Sequence, residues 1–415
     1  MTIWTALAAA TLCAIASPGH SGEAGPPPPQ KSETLIRVLL SGGGRAASAR
    51  VSSPSGFNLL GSGGSLMARG NAGAAWRIER DGRRVRAVRP DGVPTVWAEG
   101  SIRAQPVGSG LMALDGSPYR GDLVFTGSDS GLAEINALSI EDYLLGVVPQ
   151  EMGERPPGDS AAVQAQAVTA RSYAYIHLAP SRAYDVTSGV LDQVYGGVAA
   201  ETAVGSQAVE STRWIVVMYA GRVVNAPYHS ACGGSTAAAS EIWRTNDEPY
   251  LRAVSDRIPG TNRFYCDGAP RFAWTRAFDA TTLNAAVAQY LATYASVPGR
   301  KPGAVRDISI ASHTPSGRVG TLTVSTERGN FVLRGNDIRF VLRKPGGEIL
   351  ESTYFSVATA PAPDGSLARL TLHGMGYGHG VGMCQWGAIG RARAGQDFRE
   401  ILQAYYPGTT IGPAP

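Results

Sequence analysis

Three acidic residues stand close together in the sequence: Glu141, Asp142 and Glu151. Glu141 and Asp142 fall in the first turn of a predicted helix, where the helix dipole favours any acid, so neither needs a chemical role. Glu151 follows an apolar helix and Pro149, and it precedes the irregular loop GERPPGDS. Because a partly buried carboxyl has a raised pKa, the position of Glu151 suits a general acid at neutral pH.

The stretch AAVQAQAVTARSYAYIHL carries polar residues with helical spacing. Gln164, Arg171 and Tyr175 fall at i, i+7 and i+11, hence on one face, opposite an alanine surface that can pack closely against a sheet. We expect this polar face to line a groove beside Glu151.

Histidine and cysteine residues suggest two other chemistries. His229 and Cys232 have the H-x-x-C spacing that can bring two zinc ligands together. The residues that could complete such a site show no recognisable spacing; they are His373, His379, Cys266 and Cys384. A thiol peptidase, with Cys232 or Cys384 as nucleophile and His379 as base, is the second possibility.

The segment HGMGYGHGVGMCQWGA places glycine at every second position from Gly374 to Gly382. On an extended strand these glycines share one face, which then has no side chains. Such a face predicts either a floor for a polysaccharide or close packing against the Glu151 helix. The run matches neither G-x-G-x-x-G nor G-x-x-x-x-G-K, so it is not a nucleotide-binding loop.

The elements that must position these residues form a predicted α+β fold. Short β-like runs separated by Gly, Ser, Asp and Pro indicate strands before residue 126. Ser139 should begin a helix that Pro149 ends, and a long helix should follow from Asp159 or Ser160 to before Pro180. Shorter helices are predicted over 201–211, 281–294 and 398–405, with strands over 214–224 and 305–341.

Four segments are predicted along the chain: a signal peptide over 1–16, a Pro/Gly linker over 17–34, a β-rich region over 35–126 and a catalytic domain over 127–415. The signal peptide predicts export to the periplasm, the cell envelope or the exterior. Its removal takes Cys13 and leaves three cysteines in an oxidising compartment, which favours a disulfide between Cys232 and Cys266 over zinc or a thiol nucleophile.

The formal net charge of +4 suits an anionic polymer of the cell envelope as partner. No Lys/Arg-rich run with interleaved aromatic residues is present, so nucleic acid is not an expected partner. No apolar run after the signal peptide is long enough to span a membrane.

Four stretches, in this order, resemble the stage II sporulation protein D family, whose members are also described as amidase enhancers. They are EDYLLGVVPQEM, AVQAQAVTARSYA, YHSACGGSTAAASEIW and GYGHGVGMCQWGAIGRARAG followed by YYPGT. The similarity covers roughly residues 119–409. It implies a mixed α/β catalytic domain and a lytic transglycosylase that acts on peptidoglycan, with preference for glycan strands whose stem peptides an amidase has removed.

The resemblance places the catalytic acid at Glu151, the residue also selected by its context. A usual glycoside hydrolase needs two carboxyl groups. A lytic transglycosylase needs one, because the C6 hydroxyl of the sugar is the nucleophile. The residues then expected to bind and orient the substrate are Arg171, Gln166, Tyr195, Tyr228, His229, Ser230, His379 and Gln385.

This sequence departs from the family pattern at two places. Many relatives carry Lys where this chain has Gln164, and some bind zinc through a fuller Cys/His set that the stretch DVTSGVLDQVYGG lacks here. We therefore expect no metal and no cofactor. The alternative function is a non-catalytic module that binds glycan strands and stimulates an N-acetylmuramoyl-L-alanine amidase, which would be a second partner.

Overall fold

Residues 33–40, 46–190, 192–363 and 365–414 are described by the computed structural model of the chain. The predicted signal peptide and the linker up to residue 32 lie outside these ranges. From Leu35 onward the chain forms one compact unit that combines helices and strands, as the α+β prediction requires. Within the described ranges, no helix is both long and apolar enough to cross a membrane.

Strands dominate the chain before the first helix, as the short β-like runs predict. Their bounds are β1 (Leu35–Leu39), β2 (Ser48–Ser52), β3 (Phe57–Leu60), β4 (Leu66–Gly70), β5 (Trp76–Asp81), β6 (Arg84–Val88), β7 (Ala98–Glu99), β8 (Ser101–Pro106), β9 (Met112–Leu114), β10 (Ser117–Tyr119), β11 (Asp122–Ser128), β12 (Gly131–Ser139) and, after two helices, β13 (Val186–Thr187). One sheet has seven strands in the order β13-β1-β12-β11-β8-β3-β4, and another has six in the order β10-β9-β2-β5-β6-β7. Alternate residues of both sheets, such as Val51 and Phe125, share one core.

The remaining elements follow in chain order. They are α1 (Ile140–Met152), α2 (Ser160–His177), α3 (Ala203–Ser211), β14 (Ile215–Tyr219), β15 (Arg222–Val223), β16 (Tyr228–His229), α4 (Ala239–Ile242), β17 (Ala273–Asp279), α5 (Ala280–Tyr294), β18 (Val305–His313), β19 (Val319–Thr326), β20 (Gly329–Arg334), α6 (Asp337–Val341), β21 (Phe355–Pro361), β22 (Leu367–Met375), β23 (Met383–Cys384), α7 (Gln385–Arg393), α8 (Phe398–Tyr405) and β24 (Thr410–Pro413). The predicted boundary at residues 126/127 falls within strand β11 of the β11–β12 hairpin, and the division into domains stays a prediction.

Two further hydrophobic cores lie in this part of the chain. The larger one surrounds α1 and α2 and includes β23 and α8. The other is built from the sheets β17-β22-β21 and β18-β19-β20 together with α5 and α6. The strand prediction over 305–341 therefore holds up to residue 334, after which the chain turns into a short helix.

Helix α1 begins where the sequence predicts and ends later. The Ser139 hydroxyl accepts the Asp142 N–H at 3.0 Å, which caps the first turn. Pro149 lies inside the helix and does not end it, and its ring packs against Gly205 of α3, where an added Cβ would lie 2.7 Å from the ring. The helix ends at Gly153, whose positive φ of 68° and bond to the Pro149 carbonyl close it. Glu151 therefore lies on the last helical turn and not in a loop.

The glycine run does not form the predicted bare strand. Only Gly374 lies on β22, and the four glycines that follow all have positive φ: Gly376, Gly378, Gly380 and Gly382. A Cβ on Gly380 would lie 2.5 Å from the Arg318 guanidinium carbon, and one on Gly382 would lie 2.0 Å from the Pro227 carbonyl oxygen. These glycines let an irregular segment pack closely against Arg318 and residues 227–232; they form neither an open floor nor a contact face for α1.

Candidate active site

Glu151 lines a cleft of about 350 Å³. The other lining residues are Tyr173, Val190, Asp192, Gln193, Val194, Asn225, Pro227, Tyr228, Trp243 and His379. They come from the end of α1, from α2, from two loop segments, from strand β16, from the residue after α4 and from the glycine run. Segments far apart in the sequence therefore meet around one carboxyl group.

Two hydrogen-bond donors hold the Glu151 carboxyl. The Val194 N–H donates to Oε1 at 2.9 Å, and the Tyr228 hydroxyl is the second donor. Burial has the larger effect and raises the pKa of Glu151 above the usual range, whereas the two hydrogen bonds lower it. A carboxyl that stays protonated to higher pH and faces a cleft can donate a proton to a bound molecule.

Tyr228 belongs to a chain of hydrogen bonds behind Glu151. Its hydroxyl oxygen accepts from Gln193 Nε2 at 3.1 Å, and Gln193 Oε1 accepts from the Tyr143 hydroxyl at 3.3 Å. Burial, followed by the charge of Glu151, raises the pKa of Tyr228 well above its usual value. The hydroxyl therefore keeps its proton and remains a donor.

The two predicted histidines are both neutral. His379 Nε2 lies 2.8 Å from the Tyr228 carbonyl oxygen and must donate to it, while Nδ1 accepts the Val381 N–H at 3.1 Å. Burial lowers the pKa of His379 to about 3. His229 donates from Nδ1 to the Val381 carbonyl at 3.1 Å, and burial holds its pKa well below the usual value. His379 lines the cleft, whereas His229 is buried beside it.

Gln166 and Gln385 lie beneath Glu151 and not in the cleft. Gln385 Nε2 donates to the Glu151 carbonyl at 3.3 Å and to Gln166 Oε1 at 3.2 Å. Gln166 is fully buried, and Gln385 is nearly so. In this geometry both residues help to fix the backbone at Glu151. The sequence predicts instead that they contact the substrate.

Arg171 is also placed differently from the prediction. It is fully buried, and its Nε and Nη2 donate to the two carboxylate oxygens of Glu141 at 2.7 and 2.8 Å. Its Nη1 donates to the Ile215 carbonyl at 3.0 Å. Arg171 therefore ties α1, α2 and β14 together instead of orienting a sugar, and Glu141 is its counter-ion. On α2 the residue that lines the cleft is Tyr173.

Tyr195 and Ser230 do not line the cleft either. Tyr195 is buried and donates its hydroxyl to Asn136 Oδ1 at 2.7 Å. Its ring packs closely against Gly146, where an added Cβ would lie 2.7 Å from the ring. The Ser230 carbonyl accepts the Trp386 N–H at 3.0 Å. Of the residues predicted to form the site, the structure brings Glu151, Tyr228 and His379 together in the cleft.

Several cleft residues are not among the predicted site residues, and three of them have side chains suited to contact a ligand: Tyr173, Asn225 and Trp243. The Trp243 ring lies 5.1 Å from the His379 ring, centroid to centroid. Asn225 Oδ1 is buried and has no hydrogen-bond partner among the described residues. Tyr173 and Trp243 belong to the quoted motifs, which could have identified them, but Asn225 lies outside every motif.

The predicted disulfide pair lies apart from the cleft lining. Cys232 and Cys266 are free and buried, with their sulfur atoms 3.4 Å apart. Cys384 and Asp256 complete a group of four whose sulfur and carboxylate atoms lie within 4.8 Å of one another. The structure shows no bond between the two sulfurs, and the disulfide stays a prediction.

Fold and site together define a mixed α/β protein with a partly buried glutamate carboxyl in a cleft, and known proteins are similar to this chain in sequence. A model described as "Stage II sporulation protein" matches residues 128–219, and a model of a domain of unknown function matches residues 258–382. An uncharacterized protein of Brachyspira hyodysenteriae is 33% identical over 301 residues, which is 72% of this chain and 73% of that protein.

Two Bacillus subtilis proteins are also similar. The amidase enhancer is 30% identical over 347 residues, covering 75% of this chain and 47% of the enhancer. Stage II sporulation protein D is 27% identical over 331 residues, covering 76% of this chain and 85% of that protein. The chain belongs to the stage II sporulation protein D family, as its motifs imply.

Proposed function

We propose that this chain is an exported lytic transglycosylase that cleaves the MurNAc–GlcNAc bond of peptidoglycan glycan strands, preferring strands without stem peptides. The observation that supports this most directly is the carboxyl of Glu151, which faces the cleft and has a pKa raised by burial. The preference for stripped strands and the export to the periplasm or cell envelope rest on the family resemblance and the signal peptide.

Glu151 performs both proton transfers in this proposal. It first gives its proton to the glycosidic oxygen, and the bond between that oxygen and C1 of MurNAc breaks. The C6 hydroxyl of the same MurNAc then bonds to C1 and returns its proton to Glu151, which leaves a 1,6-anhydro ring. Between the two transfers the Val194 N–H and the Tyr228 hydroxyl stabilise the carboxylate of Glu151.

The cleft walls suit a sugar ligand. Tyr173 and Trp243 offer aromatic surfaces, and Asn225 Oδ1 offers an acceptor that no described residue uses. We expect Asn225 to accept a hydrogen bond from a sugar hydroxyl or an acetamido N–H, because a buried acceptor without a partner is costly.

Asp192 is a second carboxylate in the cleft, which a hydrolase would need. Its Oδ1 accepts from the Tyr173 hydroxyl at 2.9 Å, and its Oδ2 accepts from the Thr187 N–H and hydroxyl at 2.9 and 2.7 Å. These bonds hold Asp192 as part of the wall and favour a reaction that needs one carboxyl.

The name of one relative supports a second candidate, a module that binds glycan and stimulates an amidase. This chain is 30% identical to a protein named amidase enhancer but spans 47% of its length. In this alternative the cleft binds glycan strands without cleaving them, and an amidase is the partner.

Mass spectrometry of amidase-treated glycan strands tests both candidates. The wild-type protein should release products that end in 1,6-anhydro-muramic acid, Glu151→Gln should release none, and Glu154→Gln should behave as wild type because Glu154 is exposed three residues away. Reducing ends would show hydrolysis and direct attention to Asp192. Binding without cleavage, together with stimulation of an amidase by Glu151→Gln, would favour the second candidate.

A further inference from the structure

We propose that Cys232, Asp256, Cys266 and Cys384 form a structural zinc site. All four residues are buried, and one ligand atom from each lies within 4.8 Å of the other three. They come from the loop after β16, from two positions in the 243–273 segment and from the first position before α7. The site goes beyond the proposed function, because it needs no substrate and takes no part in the proton transfers.

The distances fit one tetrahedral ion. The Cys232 and Cys266 sulfurs are 3.4 Å apart, and the Cys232 sulfur lies 3.7 Å from Asp256 Oδ2. A zinc ion with Zn–S bonds of about 2.3 Å and a Zn–O bond of about 2.0 Å sets ligand-to-ligand distances of roughly 3.5–3.8 Å. The two observed separations are close to these values, and all four ligand atoms lie within 4.8 Å of one another. Four protein ligands would leave no position open for water, which is typical of a structural site.

Hydrogen bonds from the surrounding residues orient the ligands. Asp256 Oδ1 accepts from the Tyr405 hydroxyl at 2.7 Å and pairs with Arg391 Nη2 at 3.3 Å, so Oδ2 is left to face the sulfurs. The Cys384 sulfur accepts the backbone N–H groups of Cys232 and Gly387, each at 3.2 Å. These two bonds fix the position of the Cys384 sulfur beside the other ligands.

Two positively charged side chains near the cluster are also consistent with a zinc site made of anionic ligands. Three thiolates, one carboxylate and one Zn²⁺ together carry two negative charges, and two guanidinium groups stand nearby to offset them. Arg391 contacts Asp256, and the fully buried Arg318 donates to the carbonyls of Cys232 and Ser235 at 2.8 and 3.0 Å. These two guanidinium groups would offset the net charge of the zinc-bound cluster.

Thiolate ligands select zinc over magnesium, calcium and manganese, which prefer oxygen. The four proposed ligands do not include any residue of the 185–197 stretch, where the family resemblance predicts zinc ligands. They also do not include His229, whose ring donates to the Val381 carbonyl. The sequence suggested zinc through H-x-x-C, but the residues that could complete the site, Cys266 and Cys384 among them, showed no recognisable spacing. Asp256 supplies the fourth ligand, and nothing in its sequence context indicates this.

Metal analysis of the untagged protein, purified under reducing conditions with zinc in the growth medium, tests the proposal. We expect about one zinc ion per chain by inductively coupled plasma mass spectrometry. Cys384→Ser and Asp256→Asn should lower the zinc content at least five-fold. His313→Gln removes an exposed histidine far from the cluster in sequence and should leave the content unchanged.

Cobalt substitution keeps the test valid if the variants fail to fold. Wild-type protein reconstituted with Co²⁺ should show the intense visible bands of a tetrahedral ion and a thiolate-to-cobalt charge-transfer band. Absence of zinc together with a disulfide-linked peptide containing Cys232 and Cys266 would overturn the proposal in favour of the bond predicted from the sequence. Zinc that persists undiminished in both ligand variants would overturn it as well.

Discussion

At the scale of single residues, burial and hydrogen bonding have opposite effects on the pKa of Glu151. Burial raises its pKa, while the Val194 N–H and the Tyr228 hydroxyl lower it. The protonated form performs the first step of the proposed reaction. Activity should therefore persist above the usual Glu range and fall as the pH rises through the raised pKa.

Replacing Tyr228 by Phe removes one donor to the carboxylate. The pKa of Glu151 should then rise further, and the falling limb of the kcat/KM profile should move to higher pH by roughly one unit. The measurement is the rate of anhydro-product release against pH. Tyr173→Phe is the matched control, since the Tyr173 hydroxyl donates to Asp192 and not to Glu151, so the limb should stay in place. A limb that moves to lower pH in Tyr228→Phe would contradict this account.

The sequence reveals the structural surroundings of some residues but not of others. Glu151 could be selected because its surroundings are local: an apolar helix on one side and an irregular loop on the other. Arg171 could not be placed, because its partner Glu141 lies 30 positions away and its burial depends on how two helices pack. A polar residue among alanines looks the same in sequence whether it faces a groove or a buried carboxylate.

At the scale of elements, the Glu141–Arg171 pair joins α1 to α2. Arg171→Met should lower the free energy of unfolding by about 3–5 kcal/mol, because it leaves a buried carboxylate without its partner. Urea denaturation at neutral pH measures this. Arg306→Ala breaks an exposed pair with Glu327 and should cost less than about 1 kcal/mol. If the two variants were equally stable, the buried pair would not be what holds the helices together.

Helix α7 depends on a glycine where it meets the cysteine cluster. A Cβ on Gly387 would lie 2.0 Å from the Tyr405 hydroxyl and 2.4 Å from Asp256 Oδ2. Gly387→Ala should therefore destabilise the protein by about 1–3 kcal/mol and reduce its zinc content. Denaturation and metal analysis measure both effects. Gly158→Ala is the control, because a Cβ there meets nothing within 4 Å; equal behaviour of the two variants would refute the close approach.

Elements with local signals were predicted well. Ser139 caps α1 and Asp397 caps α8 through side-chain bonds to residues within the first turn, so the sequence contains both partners. The packing of Pro149 and the course of the glycine run involve distant contacts instead. Pro149 packs on Gly205, and Gly380 makes room for Arg318, and neither contact can be read from its own segment.

At the scale of the whole molecule, the cysteine cluster joins segments that the sequence keeps far apart. Cys232 follows the strand that carries Tyr228, and Cys384 directly precedes Gln385, which donates to the Glu151 carbonyl. One ion would therefore fix both the wall of the cleft and the support beneath the proposed acid. The motifs predicted the family and the cleft carboxyl, but Asp256 belongs to no motif and only the folded chain brings it to the cysteines.

Removal of zinc should therefore weaken both stability and activity. Binding to the folded state alone stabilises by about 2.7 kcal/mol at a hundred-fold excess over Kd, so a chelator should lower the Tm of a chain of this length by about 3 °C. The release of anhydro products should also fall, because the contacts at Tyr228 and Gln385 loosen. Added zinc should restore both the Tm and the product release. Calorimetry and product release, each measured before and after chelation, test this. Cys384→Ser is the control: it should respond to neither chelator nor zinc, and a chelator effect of wild-type size in that variant would place the relevant metal elsewhere.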